Sequence, residues 1–155
     1  MPRNNEIEAA LEDYQRLFQA GQQASHLKSL REGAVQAIHF LADFNPRLVG
    51  SVLSGTAGQH ADINLHLFAD TPEEVSLFLM DGHIPFQASH KRMRISREEW
   101  QDFSSYEFLA GDHQVDLVVF PREGRREAPR SPVDGKPMRR ASLEEVEKLL
   151  NESPT

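Results

Sequence analysis

The chain has 155 residues, a length that suggests one domain (1–155) able to bury a core without covalent staples. Charged residues make up 26% and hydrophobic residues 39%, the balance of an ordinary globular fold, and the net charge is -7. There is no cysteine, which excludes disulfides, thiolate zinc sites and cysteine nucleophiles. The opening residues MPRNNEIEAALEDYQ lack the apolar core of a signal peptide, and no apolar run approaches the ~20 residues of a membrane span. A cytoplasmic location without a membrane partner is the expectation.

The elements follow in chain order. Ile7, Ala10, Leu11, Tyr14, Leu17 and Phe18 recur at helical spacing, which predicts an amphipathic helix over about 5–21 stopped at Gly21. Leu27, Leu30, Ala34, Ile38 and Leu41 predict a second helix ending before Pro46, so 5–44 forms a helical N-terminal part. Apolar faces on these helices suit either a dimer or a cover for a sheet. Arg47 to Leu53 reads as β-like, and Gly55 to Gly58 as a loop. From Ala61 to Phe68 the residues alternate, with Ile63, Leu65 and Leu67 on one side and Asp62, Asn64, His66 and Phe68 on the other, which predicts a strand.

Thr71-Pro72-Glu73-Glu74 has the form of a capping box opening a helix to Asp81. Ile84 to Arg94 reads as extended, with a hairpin around Ala88-Ser89. Ser96-Arg97-Glu98-Glu99 offers another capping box before a short helix or turn. Tyr106 to Leu109 and Val115 to Phe120 form a predicted hairpin about Gly111-Asp112, closed by Pro121. The basic, irregular stretch that follows, with the terminal helix opened by Ser142-Leu143-Glu144-Glu145, makes up 122–155. From Arg122 to Arg140 seven basic residues face three acidic ones, a local charge of +4 that leaves -11 for the rest. Nucleic acid is a poor general partner for so acidic a chain, because phosphate contacts need basic side chains. The basic stretch reads either as a solvated tail or as a contact for a polyphosphate. The element order predicts an α/β (α+β) domain with a mixed β-sheet core at 46–121.

Gly50-Ser51, a loop containing Gly55, and then Asp62-Ile63-Asn64-Leu65 resemble the signature of the nucleotidyltransferase superfamily, the DNA polymerase beta-like fold, in its small bacterial single-domain form. That family carries Gly-Ser, a loop of about ten residues, Asp-x-Asp on the next strand and a third carboxylate on a later one; Asp116 is the candidate for the third. The resemblance implies a metal-dependent transfer of a nucleotidyl group from ATP or another NTP to an acceptor, with Mg²⁺ or Mn²⁺ as cofactor. It implies Asp62 and Asp116 as catalytic residues, Asp62, Asn64 and Asp116 as metal ligands, and Gly50, Ser51 and Lys91 as nucleotide-binding residues. Arg97, Lys136 and Arg139 are further candidates for phosphate contact.

The residues agree in type. Positions two apart on a strand share a face, hard oxygen donors suit Mg²⁺, and glycine lets a phosphate approach the backbone. Plainer readings stand beside these: Gly50-Ser51 as a tight turn, Asp116 as an exposed strand residue, Lys91 as a charge that blunts a sheet edge, and His66 as a core histidine. Asn64 departs from the family pattern. Its amide ligates without charge, and it motivates the alternative of a catalytically degenerate member that binds a nucleotide or a protein partner.

Overall fold

The structure, a computed structural model, describes residues 24–58, 60–96, 98–122, 129 and 136–152. Helix α1 spans 24–40 and buries Leu30, Ala34, Ala37 and Ile38 on one stripe, as its spacing predicts. The chain leaves it through a 3₁₀ turn, Ala42–Phe44, and Asn45 in the left-handed region (φ 49°). The helix expected over about 5–21 lies outside the described residues.

Strand β1 is Arg47–Val49, and a short helix, α2, occupies Ser51–Ser54. The β-like stretch Arg47 to Leu53 is therefore split. Gly50 turns the backbone out of the strand, and Val52 and Leu53 are buried from a helical turn instead. Gly55 (φ 86°) closes that turn, and the buried Arg31 guanidinium of α1 donates to the carbonyls of Val52 and Leu53, both at 3.0 Å. These bonds satisfy carbonyls that a helix end leaves open.

Strand β2 is Ile63–Phe68, and helix α3 is Pro72–Asp81. Thr71 and Pro72 open α3 as expected, but Thr71 makes no side-chain capping bond; the Glu74 N–H goes to the Thr71 carbonyl at 3.3 Å. Strand β3, Gln87–Arg94, is continuous: Ala88 and Ser89 pair with Tyr106 and Ser105 of β4, Trp100–Ala110. The hairpin expected at Ala88-Ser89 is thus displaced. The reversal lies where Ile95 and Ser96 donate to the Glu99 carbonyl, so of the short helix or turn expected there the described residues form the turn. A largely exposed edge strand needs no apolar alternation, so the extended stretch Ile84 to Arg94 did not mark where the chain reverses. Strand β5, His113–Phe120, returns from β4 through Gly111-Asp112, where Gly111 takes φ 64° in a two-residue loop. Helix α4, Leu143–Glu152, opens with the predicted capping box: the Glu145 N–H donates to Ser142 Oγ and the Ser142 N–H to Glu145 Oε1, each at 3.4 Å.

The five strands form one mixed sheet in the order β1-β2-β5-β4-β3, with β2 and β5 parallel and the other neighbours antiparallel. With the four helices among the described residues this gives a mixed α/β architecture. One face, carrying Ile63, Leu65, Leu67, Val115, Leu117 and Val119, packs against apolar residues of the four helices in the main core. The other face is divided along the strands. Its lower half holds a second apolar cluster, Phe68, Met93, Phe103, Val118 and Phe120. Its upper half holds Asn64 and Asp116, half-buried and polar. No described helix is long and apolar enough to cross a membrane.

Candidate functional site

The site is assembled by register. Asn64 of β2 stands opposite Asp116 of β5 on one side and Val49 of β1 on the other. Asp62 immediately precedes β2, two residues before Asn64, so it belongs to the same face. The Asp62 and Asp116 carboxyl groups lie near enough for the charge of one to act on the other. Partial burial, then the neighbouring Asp116 carboxyl, push the Asp62 carboxyl above the usual carboxylate range, while the Lys91 charge pulls it the other way. Gln114, two residues before Asp116, donates Nε2–H to Asp116 Oδ1 at 3.0 Å and orients it.

Gly50 links β1 to α2 at φ 80°, ψ -156°, a conformation that glycine alone adopts readily. The reason is a neighbour: a Cβ at this position would lie 3.3 Å from Asn64 Nδ2. Asn64 Nδ2 also donates to the Asp62 carbonyl at 3.3 Å. The amide therefore lies between the Gly50 turn and Asp62. Ser51, the first residue of α2, is half-buried beside it.

Of the residues singled out in the sequence, Gly50, Asp62, Asn64 and Asp116 are brought together, and Ser51 adjoins them. Lys91 comes from β3, three strands from β2, and only its charge bears on Asp62 and His66, lowering the pKa of both. Arg97 lies outside the described residues. Arg139 is exposed and interacts with Arg31, and Lys136 is exposed. Among the described basic residues of this stretch, Arg140 packs onto the sheet. Its guanidinium lies 4.9 Å from the ring centroids of both Phe68 and Phe120, and its Nε donates to His66 Nδ1 at 3.0 Å. Burial, then Arg47, lower the Arg140 guanidinium to about 10.

That contact settles the role of His66. The ring is buried against Phe120 and accepts a hydrogen bond at Nδ1, so the neutral tautomer carries its proton on Nε2. Burial first, then Arg140 and Lys91, hold its pKa well below the usual histidine value. It is a core histidine. Two residues escaped notice in the sequence. Gln114 was detectable as the same-face neighbour of Asp116. Glu107 stands opposite Asp116 in β4, and only the register of that strand reveals it.

Among the described residues no three His, Cys, Asp or Glu side chains converge closely enough to hold a metal ion; in this cluster the third place belongs to an amide. A cavity of about 180 Å³ lies at the other ends of β2 and β5, lined by Ala69, Asp70, Phe103 and Phe120 among others, away from the carboxylates. No protein-family model matches the chain, and no curated protein matches it.

Proposed function

We propose that the chain is a metal-dependent nucleotidyltransferase that moves a nucleotidyl group from ATP or another NTP to a hydroxyl-bearing acceptor. One observation carries this reading: Asp62 and Asp116 meet beside the glycine turn Gly50-Ser51, with Asn64 in register between them. Two neighbouring carboxylates are like charges held together, an arrangement that a cation relieves. The donors are all oxygens, which fits Mg²⁺ or Mn²⁺. Asp62 and Asp116 would hold the ion, with the Asn64 amide oxygen as a neutral third donor. The bound cation supplies positive charge against the phosphate oxygens.

The chain's own groups do the rest. The acceptor oxygen forms its bond to the α-phosphorus as the bond from that phosphorus to the pyrophosphate oxygen breaks, and the electron pair leaves with pyrophosphate. A carboxylate of the pair takes the acceptor's hydroxyl proton. The bare Cα of Gly50 lets a phosphate approach the backbone, and Lys91 adds a positive charge on the same face. Incubation with α-labelled ATP, Mg²⁺ or Mn²⁺ and cell extract tests the reading. Label should transfer with wild type and be lost with Asp62→Ala; no transfer, with both proteins alike, refutes it.

Asn64 favours a second reading, a degenerate member that binds a nucleotide without turning it over. The amide is engaged by the Asp62 carbonyl and packed on Gly50, and it brings no charge. Calorimetry with ATP and Mg²⁺ separates the two: binding without transfer supports the degenerate form, and Asn64→Asp should then restore transfer.

A further inference from the structure

We infer that the outer edge of β3 is a docking edge for an acidic, extended peptide segment of a partner protein, which adds to the sheet as a further strand. This edge lies at the opposite side of the sheet from β1 and is independent of the proposed transfer reaction. The two edges of the sheet differ. On the β1 edge the chain covers itself: the Leu48 N–H donates to the Ala141 carbonyl and the Ala141 N–H to the Leu48 carbonyl, each at 2.9 Å. Beyond β3 no strand follows among the described residues.

The register decides which groups the β3 edge offers. The Ile95 N–H donates to the Glu99 carbonyl, and in an antiparallel pair the bonded positions recur at every second residue. Met93, Lys91 and Ser89 therefore turn their backbone groups to β4. Ala88, His90 and Arg92 turn theirs outward; all three residues are exposed, and no described residue bonds to those backbone groups. Strand β3 pairs with β4 residue for residue from Gln87 to Arg94, without a bulge or a proline. Short length, bulges and prolines are what usually keep an edge from recruiting another strand, so charge alone guards this one.

That charge selects the occupant. Strand β3 carries Lys91, Arg92 and Arg94 and no acid, in a chain whose net charge is -7. Asp102 faces Arg92 from β4, on the side away from the edge, and the Arg92 guanidinium lies 5.7 Å from the Trp100 ring centroid. A second copy pairing β3 with β3 would set these cations against one another, and like charges directly opposite destabilise a strand pair. An acidic strand instead gains cross-strand charge pairs on both faces of the sheet. Lys91 serves the face of Phe103, and Arg92, beside His90, serves the face of Tyr106. Nucleic acid could meet the charges but has no peptide ladder for the outward N–H and C=O groups, which strand addition uses for affinity.

Fluorescence anisotropy of the full chain with a labelled peptide of alternating glutamate and valine, matched in length to β3, tests this. That peptide should bind roughly tenfold or more tightly than its lysine-valine counterpart. Methylating all its backbone nitrogens keeps the charge but removes every donor of a strand ladder, and should abolish binding. In hydrogen exchange the Ala88, His90 and Arg92 amides should slow when the acidic peptide is present. The double variant His90→Glu with Arg92→Glu changes two exposed positions, and thermal unfolding checks its fold; it should bind the acidic peptide roughly tenfold more weakly. Equal binding of the acidic and lysine peptides, or binding of neither, would overturn the inference. So would undiminished binding of the methylated peptide, which leaves charge without a strand. Oligothymidylate bound more tightly than the acidic peptide would assign the edge to nucleic acid. A wild-type dimer in sedimentation that the double variant dissolves would assign it to a second copy. Either result refutes the peptide reading.

Discussion

Replacing Gly50 with alanine tests whether the turn beside the carboxylates is as constrained as its geometry indicates. At φ 80° and ψ -156° the backbone lies in a region essentially reserved for glycine, where another residue costs about 1–3 kcal/mol. The added methyl would lie 3.3 Å from Asn64 Nδ2 and 3.8 Å from Asn64 Cβ, so Asn64 must also give by a few tenths of an ångström. Against this, alanine restricts the unfolded chain and returns about 0.4–1 kcal/mol. The net expectation is a loss of about 1–2 kcal/mol, a fall in melting temperature of roughly 3–6 °C for a chain of this length. Gly58 is the control. A Cβ there meets nothing within 4 Å and its φ is not positive, so Gly58→Ala should be neutral or slightly stabilising. Thermal and urea unfolding followed by far-ultraviolet circular dichroism read both. If Gly50→Ala melts at or above wild type while Gly58→Ala behaves as stated, the steric account of the turn is wrong.

Arg31→Ala removes two charge-assisted bonds to the Val52 and Leu53 carbonyls and should destabilise by about 2–4 kcal/mol in urea unfolding; a loss below ~0.5 kcal/mol would show that α2 does not depend on it. His66 is neutral and its folded pKa is depressed, so its contribution is present above the unfolded value near 6.5 and is lost as pH falls below it toward the folded value. The urea midpoint should therefore drop from pH 7 to pH 5, and His66→Gln should flatten that slope; equal slopes would contradict a buried neutral ring. The Asp62 carboxyl has the opposite sign: its folded pKa is raised, so its contribution is present at low pH and is lost as pH rises through the folded value. Asp116→Asn should relieve the pair and raise the melting temperature at pH 7 while abolishing transfer, and a lower melting temperature would argue against like-charge strain.

Local pattern was enough to find α1, β2, α3, β5 and α4, because each is long, periodic or capped, and burial follows the same spacing that defines the element. Leu30, Ala34 and Ile38 make a stripe whatever they face, and Ser142 with Glu145 caps a helix from within four residues. The extended stretch Ile84 to Arg94 holds β3, but the reversal expected inside it and the strand expected through Ser51–Ser54 were misplaced for the complementary reason. An exposed edge strand buries too little to impose alternation, and apolar Val52 and Leu53 satisfy a strand and a buried turn equally well.

The candidate site divides along the same line. The residue types at Gly50, Asp62, Asn64 and Asp116, and their spacing along the chain, are properties of the sequence. So is the amide that replaces a carboxylate at position 64. Their meeting is not, since Asp62 and Asp116 are far apart in the chain and share a site through the parallel pairing of β2 with β5. The packing of Arg140 on His66 and the place of Glu107 beside Asp116 likewise depend on strand order and register. Those are set by packing between distant segments, which no local window of the sequence contains.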